Sequence, residues 1–300
     1  MKELRKTSYP IKISTIAAAL LTSACAGFDM RQGMIDSDMA DMSLSQDYNQ
    51  NDKYAHQDAI QQDPLSEASQ YDKKDIRIYL ADAARIAEDE GAFSEAAGHW
   101  HKILEKHPNR EEALYGLSRT GRKAGLGKPV LSALFKAIGN DPNNSGLIAE
   151  TAKVYYSIGE YKNAMAQIEQ AIKINDEKWE YYSLGGAISD KMNFFTDAAS
   201  FYERALALSP NNPKVLHNYA TSRLMNGDMR SAEQYAYDAA QSEGATIRNY
   251  QAYAEILGKQ GRFEDAKSFL DNKLDRREAK LVYDMVKAET ASPVLWGRSQ

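Results

Sequence analysis

The sequence predicts an all-α fold of repeated helical hairpins, because small residues return every 34 positions over two thirds of the chain without an insertion. The six 34-residue blocks begin at Arg77, Glu111, Ser145, Trp179, Pro213 and Ile247. The eighth column reads Ala84, Ser118, Ala152, Gly186, Ala220 and Ala254, and the twentieth reads Ala96, Val130, Ala164, Ala198, Ala232 and Ala266. The fifteenth column reads Gly91, Gly125, Gly159, Asn193, Gly227 and Gly261. Agreement of several columns at one period indicates a single unit repeated six times.

Each small column has a physical reason. We expect the eighth and twentieth columns to lie where the two helices of a hairpin cross closely, so that only a small side chain fits. A leucine at Ala198 or Ala232 should overpack that crossing at a cost of about 1–3 kcal/mol. The fifteenth column is expected to form the turn, where a left-handed backbone favours glycine and tolerates an asparagine such as Asn193.

Two columns of larger residues and one of prolines complete the unit. Apolar residues recur in the fourth column at Leu80, Leu114, Ile148, Tyr182, Leu216 and Tyr250, and in the twenty-fourth at Trp100, Leu134, Ile168, Tyr202 and Leu270. We expect both columns to fill the space between repeats. Prolines 108, 142 and 210 fall in the thirty-second column and should end the second helix before the next unit begins.

This unit resembles the tetratricopeptide repeat, a helix–turn–helix that stacks into a solenoid. The resemblance implies a domain over residues 76–289 with six repeats and one continuous helical interior. We expect no pockets of clustered polar side chains sealed from solvent within it. A further amphipathic helix is predicted at Asp275–Glu289, with Leu281, Val282 and Met285 on the face that covers the last repeat. Residues 290–300 are predicted to form an irregular tail.

The first 24 residues have the pattern of a signal peptide. Basic residues at positions 2, 5, 6 and 12 precede the apolar run Ile13–Leu21, which is too short to span a bilayer. The run leads into Leu21-Thr22-Ser23-Ala24-Cys25, and Cys25 is the only cysteine of the chain. This string resembles a bacterial lipobox, which implies cleavage before Cys25 and lipidation of that residue. The alternative is an ordinary signal peptide with an incidental cysteine.

Lipoproteins of this kind are sorted by the residue after the cysteine, and aspartate there retains them in the inner membrane. Ala26 stands at that position. The resemblance therefore implies a lipid-anchored protein of the outer membrane that faces the periplasm. Three acyl chains on one cysteine would make the anchor effectively permanent.

The segment after the cysteine, residues 25–75, is predicted to be a disordered acidic linker. It holds eleven acidic and four basic residues and shows no apolar periodicity. The alternative is that part of it orders on a partner through Tyr48, Tyr54 and Tyr71.

Nothing in the sequence indicates an enzyme, a cofactor or a metal site. The motifs of serine hydrolases, zinc proteases, thiol–disulfide enzymes and P-loop proteins are absent from the sequence. His99 and His101 are two residues apart on a predicted helix and point to different faces. The run Asp36–Asp41 lacks the glycine and distal glutamate of a calcium loop. Nucleic acid is not expected as a partner, because the chain is acidic and has no basic stripe.

The concave face of the solenoid is the predicted binding site. In tetratricopeptide solenoids the first helices line this face through columns 2, 5, 9, 12 and 13. In the second and third repeats these columns hold Tyr115, Arg119, Arg122, Lys123, Lys153 and Tyr156. A cationic groove edged by two tyrosines would suit an acidic or C-terminal peptide. The alternative is an ordinary solvated helix face.

The last third of the chain resembles the tight-adherence (Flp-type) pilus assembly lipoproteins of the TadD kind. The strings that carry the likeness are residues 211–220 (NNPKVLHNYA), 247–254 (IRNYQAYA) and 260–266 (QGRFEDA). The resemblance implies a scaffold that helps to assemble a secretin-based pilus and its secretion machinery, with the pilus secretin or other assembly components as partners. Two alternatives remain: a periplasmic adaptor for cell-wall hydrolases or outer-membrane assembly factors, and an enzyme subunit that acts through a partner's active site.

Overall fold

The computed structural model describes residues 75–291, and its side chains are described over residues 76–290. All regular secondary structure in this part is α-helical. The helices are α1 (Asp75–Asp89), α2 (Phe93–Lys106), α3 (Glu111–Lys123), α4 (Gly127–Asn140), α5 (Ser145–Ser157), α6 (Tyr161–Ile174), α7 (Trp179–Lys191), α8 (Phe195–Leu208), α9 (Pro213–Met225), α10 (Met229–Gln241), α11 (Ile247–Lys259), α12 (Phe263–Lys273) and α13 (Arg276–Ala291). The first twelve form six antiparallel hairpins in register with the 34-residue blocks, which confirms the predicted fold class. We call the odd-numbered helices α1–α11 the A helices and the even-numbered ones the B helices.

The turn between the two helices of each hairpin is left-handed, as predicted. Five glycines of the fifteenth column have φ between 72° and 81°, and Asn193 takes the same place with φ 62°. An L-residue other than glycine, asparagine or aspartate would strain this backbone. Asn211, which the sequence analysis did not single out, also has positive φ, at 57°.

The small columns lie at the helix crossings, again as predicted. All six residues of the twentieth column are fully buried. In the eighth column, a Cβ added at Gly186 would lie 2.7 Å from the ring of Tyr202, so the glycine allows the tyrosine to pack flat against α7. The prolines at 108, 142 and 210 each stand two residues beyond the end of a B helix. Asn144 and Asn212 then cap the next A helix, accepting hydrogen bonds from the backbone N–H groups of Leu147 and Lys214.

The A helices form the inner layer of the solenoid. Consecutive A helices from α3 to α11 contact one another directly, whereas no consecutive pair of B helices in the described range makes contacts of that extent. Because neighbouring repeats in the described range contact one another more extensively along the A helices than along the B helices, the stack curves toward the layer of A helices. The surface of the A helices is therefore the concave side, where the sequence placed the binding site.

The last helix caps the stack with a different face from the predicted one. Helix α13 packs on α11 and α12 through Ala279, Val282 and Val286, which are buried. Leu281 is 63% exposed and Met285 41% exposed, so only Val282 of the predicted inward residues points inward. The prediction was wrong because it placed adjacent residues, Leu281 and Val282, on one face. With 3.6 residues per turn, the face that contains Val282 continues four residues later at Val286 and not at Met285. The helix also extends through Thr290 and Ala291, two residues into the predicted tail.

The signal peptide at 1–24, the lipidation site Cys25 and the linker up to residue 74 lie outside the described residues, as does the tail from residue 292. Those predictions stay predictions. Among residues 75–291, no helix combines the length and the apolar character that crossing a bilayer requires.

Candidate peptide-binding face

Polar side chains join every consecutive pair of A helices, and we call this set of contacts the polar ladder. Its rungs run from α1 to α13 and link residues about one repeat apart. They are Arg119–Glu88, Ser118–Glu150, Tyr181–Ser145, Asn218–Ser183, Ser222–Asp190, the Asn249 side chain to the Pro213 carbonyl, and Glu255–Glu289. The sequence analysis predicted no polar clusters sealed from solvent, and the buried clusters around Glu150 and Asp190 contradict that expectation.

The first rung fixes Arg119, a residue predicted to face a peptide. Its guanidinium donates from Nη2 to both carboxylate oxygens of Glu88 over 2.7 and 2.9 Å, and from Nε over 3.2 Å. Both side chains are mostly buried, at 24% and 17% exposure. The indole Nε1–H of Trp100 donates to the same carboxylate over 3.4 Å. Arg119 therefore ties α3 to α1, and its charge is balanced within the protein.

The second rung is a buried carboxylate between two cations. Glu150 on α5 is 4% exposed and accepts hydrogen bonds from the Lys153 ammonium over 2.6 Å and from the Ser118 hydroxyl over 2.7 Å. The Arg122 guanidinium lies 3.7 Å from it. Burial by itself raises the pKa of the Glu150 carboxyl, but the charges of Lys153 and Arg122 and the hydrogen bonds outweigh burial, so the pKa lies below its ordinary value. Glu150 is thus held ionised.

The Asp190 rung has neutral donors instead. Asp190 on α7 is 2% exposed and accepts hydrogen bonds from the hydroxyls of Ser222 over 2.7 Å and Tyr202 over 2.9 Å. Burial raises the pKa of the Asp190 carboxyl to about 6, and the two hydroxyls and the nearby Arg223 lower it only in part. The Arg223 guanidinium is itself engaged by the carbonyl oxygen of Phe195 over 3.0 Å.

The last rung pairs two carboxyl groups. Glu255 on α11 is 3% exposed, accepts a hydrogen bond from the Gln251 amide over 2.7 Å and faces Glu289 on α13. Burial and the adjacent charge of Glu289 raise the pKa of the Glu255 carboxyl to about 7. The pair can share one proton near neutral pH.

His217 on α9 lies between the Asp190 rung and the Glu255 rung. Burial lowers the pKa of its imidazole to about 4, so this histidine is neutral.

A small cleft, with a cavity volume of about 20 Å³, lies on the inner face between α5 and α7. Both signs of charge, one aromatic ring and two small residues line it, at Gly146, Ala149, Glu150, Lys153, Lys178, Glu180, Tyr181 and Leu184. Tyr115 borders the same place, because its hydroxyl occupies the space that a Cβ at residue 146 would need. The Tyr181 hydroxyl donates to the Ser145 hydroxyl over 3.1 Å. The two tyrosines and the glycine thus shape a groove wall at which a peptide backbone could pack.

The six predicted groove residues have different environments. Arg119, Arg122 and Lys153 lie together on the inner face but contact carboxylates of the ladder. Tyr156 is 4% exposed and packs edge-on against Tyr161, with ring centroids 5.7 Å apart. Tyr115 is half-buried beside the cleft, and Lys123 is exposed. Their contact with a peptide stays a prediction.

Sequence reasoning missed the carboxylates that compensate these cations. Glu150 falls in the sixth column, which is not a groove column, and Glu88 was not considered as a partner of Arg119. One signal was available, because Glu150 precedes Lys153 by three residues and such pairs meet on a helix surface. Within residues 76–290, no cluster of three histidine, cysteine, aspartate or glutamate side chains could hold a metal ion.

Comparison with known proteins agrees with this architecture. Models of the tetratricopeptide repeat match residues 151–178 and 201–234. A search of curated proteins found no match.

Solved structures share the fold at low sequence identity. The structure of PilW, a widely conserved type IV pilus biogenesis factor, has a TM-score of 0.57 and 14% sequence identity, and the match covers 72% of this chain and 99% of the PilW chain. TTC0263, a thermophilic TPR protein of Thermus thermophilus, has a TM-score of 0.53 and 20% identity over 60% of this chain and 98% of that one. The Pseudomonas aeruginosa protein pilF has a TM-score of 0.50 and 20% identity over 72% and 98%. The six hairpins and these matches show that the described part of the chain has the fold of a tetratricopeptide-repeat solenoid.

Proposed function

We propose that this chain is a non-enzymatic, membrane-anchored scaffold that binds a segment of a partner protein on its concave face. In this proposal the scaffold serves the assembly of a tight-adherence (Flp-type) pilus and its secretion machinery. Tetratricopeptide domains bind protein partners, and the observation that carries the proposal is the cleft between α5 and α7. There, tyrosine rings and charged side chains stand on a rigid inner layer. A groove that is largely formed in advance lowers the entropy lost on binding.

The ladder changes which cations a peptide can reach. Arg119, Arg122 and Lys153 already contact carboxylates, so the charges available for an acidic side chain or a C-terminal carboxylate are those of Lys178 in the cleft and of Lys123 at the C-terminal end of α3. Lys123 is exposed, with its ammonium 4.9 Å from the centroid of the Phe93 ring. Tyr115 and Tyr181 offer apolar surface at the cleft.

Three observations support the pilus assignment. The strings at 211–220, 247–254 and 260–266 resemble pilus assembly lipoproteins of the tight-adherence type. Two proteins of similar fold, PilW and pilF, carry pilus-related names. The leader over residues 1–24, followed directly by Cys25, fits a lipoprotein anchored in the outer membrane and facing the periplasm.

The binding face can be tested by reversing the two available charges. We expect the double variant Lys123→Glu/Lys178→Glu to fold normally and to lose about tenfold in the recovery of partners from solubilised membranes, since reversed charge repels an acidic segment. The control is Lys162→Glu/Lys173→Glu, which makes the same charge change at exposed positions of the B helix α6. Equal recovery by both variants would show that the A-layer lysines do not contact the partner.

The identity of the recovered proteins decides between pilus and adaptor. We expect a pilus secretin or other pilus assembly components to co-purify with the full-length protein. Recovery of cell-wall hydrolases or outer-membrane assembly factors without any pilus component would favour the adaptor function instead.

The anchor has a separate test. Cys25→Ser should abolish labelling by a fatty-acid probe and either release the protein from the membrane or leave an unprocessed precursor. Normal processing with unchanged membrane retention would contradict lipidation.

A further inference from the structure

The two ends of the solenoid both leave apolar helix surface uncovered, and the first helix shows it clearly. In α1, Tyr79 is 73% exposed and Ile86 is 59% exposed. They occupy the third and tenth columns of the first repeat. In the other five repeats these two columns are at most 7% exposed, at Ala113, Leu147, Tyr181, Val215, Asn249, Thr120, Val154, Ile188, Ser222 and Ile256. The outer face of α1 therefore corresponds to a helix face that is buried in each of the other five repeats.

The cover over these columns comes from the preceding repeat. Each A helix from α3 to α11 packs against the B helix that precedes it, and α1 has no preceding helix among the described residues. The missing cover is thus a helix with an apolar stripe. Terminal repeats of solenoids normally carry a polar outer face, which α1 lacks.

The residues directly before α1 do not continue the repeat in sequence. Extending the 34-residue register backwards places Gln62 in the twentieth column, which is alanine or valine in all six repeats, and Ser66 in the twenty-fourth. A B helix in this register would present polar residues where the internal ones present Ala96 and Trp100. Nothing in that pattern supplies the missing apolar stripe.

The opposite end of the molecule does present such a helix. Leu281, Met285 and Ala288 lie four and three residues apart on α13 and are exposed, so they form one outward stripe. The two helices also carry opposite net charge. Helix α1 has four acidic and two basic residues, while α13 has four basic and three acidic residues.

We propose that copies of this chain stack head to tail, with the outer face of α13 in one copy covering the outer face of α1 in the next. The two patches differ, so the contact is heterologous and does not close on itself after two copies. A contact of one helix on another lies at the small end of protein interfaces, and we expect a dissociation constant on the order of tens of micromolar. This association does not depend on the pilus assignment.

Sedimentation of end-specific variants tests the proposal. Every protein is the full-length chain with Cys25→Ser, which removes the only thiol and its lipid. One variant changes the first helix (Tyr79→Ser/Ile86→Ser) and another changes the last (Leu281→Ser/Met285→Ser). The control is Phe194→Ser, a side chain that is 51% exposed at the turn between α7 and α8. All the changed positions are exposed, so each variant should keep its helical circular dichroism.

Head-to-tail stacking predicts a specific pattern. Between about 5 and 500 µM, the parent and control chains should pass from monomer to dimer and then to larger species, while each end variant alone stays monomeric. An equimolar mixture of the two end variants should form dimers and nothing larger, because one intact face remains on each partner.

Three results would overturn the proposal. A monomeric parent would show that α1 is uncovered or is covered by the chain's own residues 1–74. Self-association of either end variant to the level of the parent would place the contact elsewhere. Failure of the mixed variants to form dimers would show that the two faces do not meet each other.

Discussion

Glu150 and Glu255 are both buried carboxyl groups of the A layer, yet they meet opposite surroundings. Glu150 lies between the Lys153 ammonium and the Arg122 guanidinium, whereas Glu255 faces a second carboxyl, Glu289. The pKa of Glu150 is therefore lowered, and the pKa of Glu255 is raised to about 7. The repeat architecture allows this contrast. Each repeat contacts only its neighbours, so the charges around one buried carboxyl group do not affect another carboxyl group several repeats away.

The stability contributed by these two rungs should consequently change with pH in opposite directions. The stabilisation from Glu150 is present above the ordinary carboxyl pKa of 4.5 and is lost as the pH falls through its lowered folded value. The stabilisation from protonated Glu255 is complete below 4.5 and is lost as the pH rises through about 7. Acid should therefore loosen α3 and α5, and mild alkali should loosen the contact of α13 with α11.

The largest expected effect is the removal of the carboxylate that two cations share. Glu150→Ala would leave Arg122 and Lys153 on the inner face without their shared counter-ion, and we expect a loss of about 3–5 kcal/mol in the free energy of unfolding. Urea denaturation followed by circular dichroism measures it. The matched control is Glu169→Ala on α6, where the glutamate is exposed and the change should be within about 0.5 kcal/mol. A loss below about 1 kcal/mol at Glu150 would mean that the cluster is solvated.

An intermediate effect is expected at the capping helix. Raising the pH from 5 to 8 should weaken protection of the α13 amides by about 2 kcal/mol, because Glu255 must give up its proton beside Glu289. Hydrogen exchange corrected for its intrinsic pH dependence measures this by segment. The variant Glu255→Gln should flatten the profile of α13, whereas α5 should keep its own. A steep profile in the variant would assign the pH dependence to another group.

The smallest effect is expected at the middle of the ladder. Asp190→Asn keeps the size of the side chain and one acceptor oxygen for the Ser222 and Tyr202 hydroxyls, so we expect a loss of about 1 kcal/mol at pH 7.5. Lowering the pH from 7.5 toward 5 should enlarge this loss. The pKa of the parent carboxyl is raised to about 6, so the parent becomes more stable as Asp190 takes up its proton, whereas the amide does not titrate. A loss that shrinks on acidification would contradict the raised pKa of Asp190.

Most of the fold could be predicted because its determinants are local in sequence. The left-handed turn at Asn193 and the crossing at Ala198 both follow from the backbone or side-chain size at one position, and the period repeats that information six times. The ends of α2, α4 and α8 follow in the same way from the prolines two residues beyond them.

The candidate site was predicted only as a layer. Columns 2, 5, 9, 12 and 13 correctly indicate which helices line the inner face, but not which charges compensate one another across it. The contacts of Arg119 with Glu88 and of Ser118 with Glu150 join residues 31 and 32 positions apart. Whether such a pair forms depends on how one repeat is rotated and shifted relative to the next. The residue types in a single column do not specify that rotation or shift.

The amino-acid sequence by itself determined the repeat, its turns, its crossings and the helices of the inner layer, because period and residue size act within one hairpin. Its leader at 1–24 and Cys25 carry a prediction that lies outside the described structure. Only the tertiary structure decided that the cations of the inner face are compensated, that Glu255 faces Glu289, and that Leu281 and Met285 point outward. These features arise from how one hairpin is set against the next, and that geometry is fixed by the packing of whole helices rather than by any local pattern.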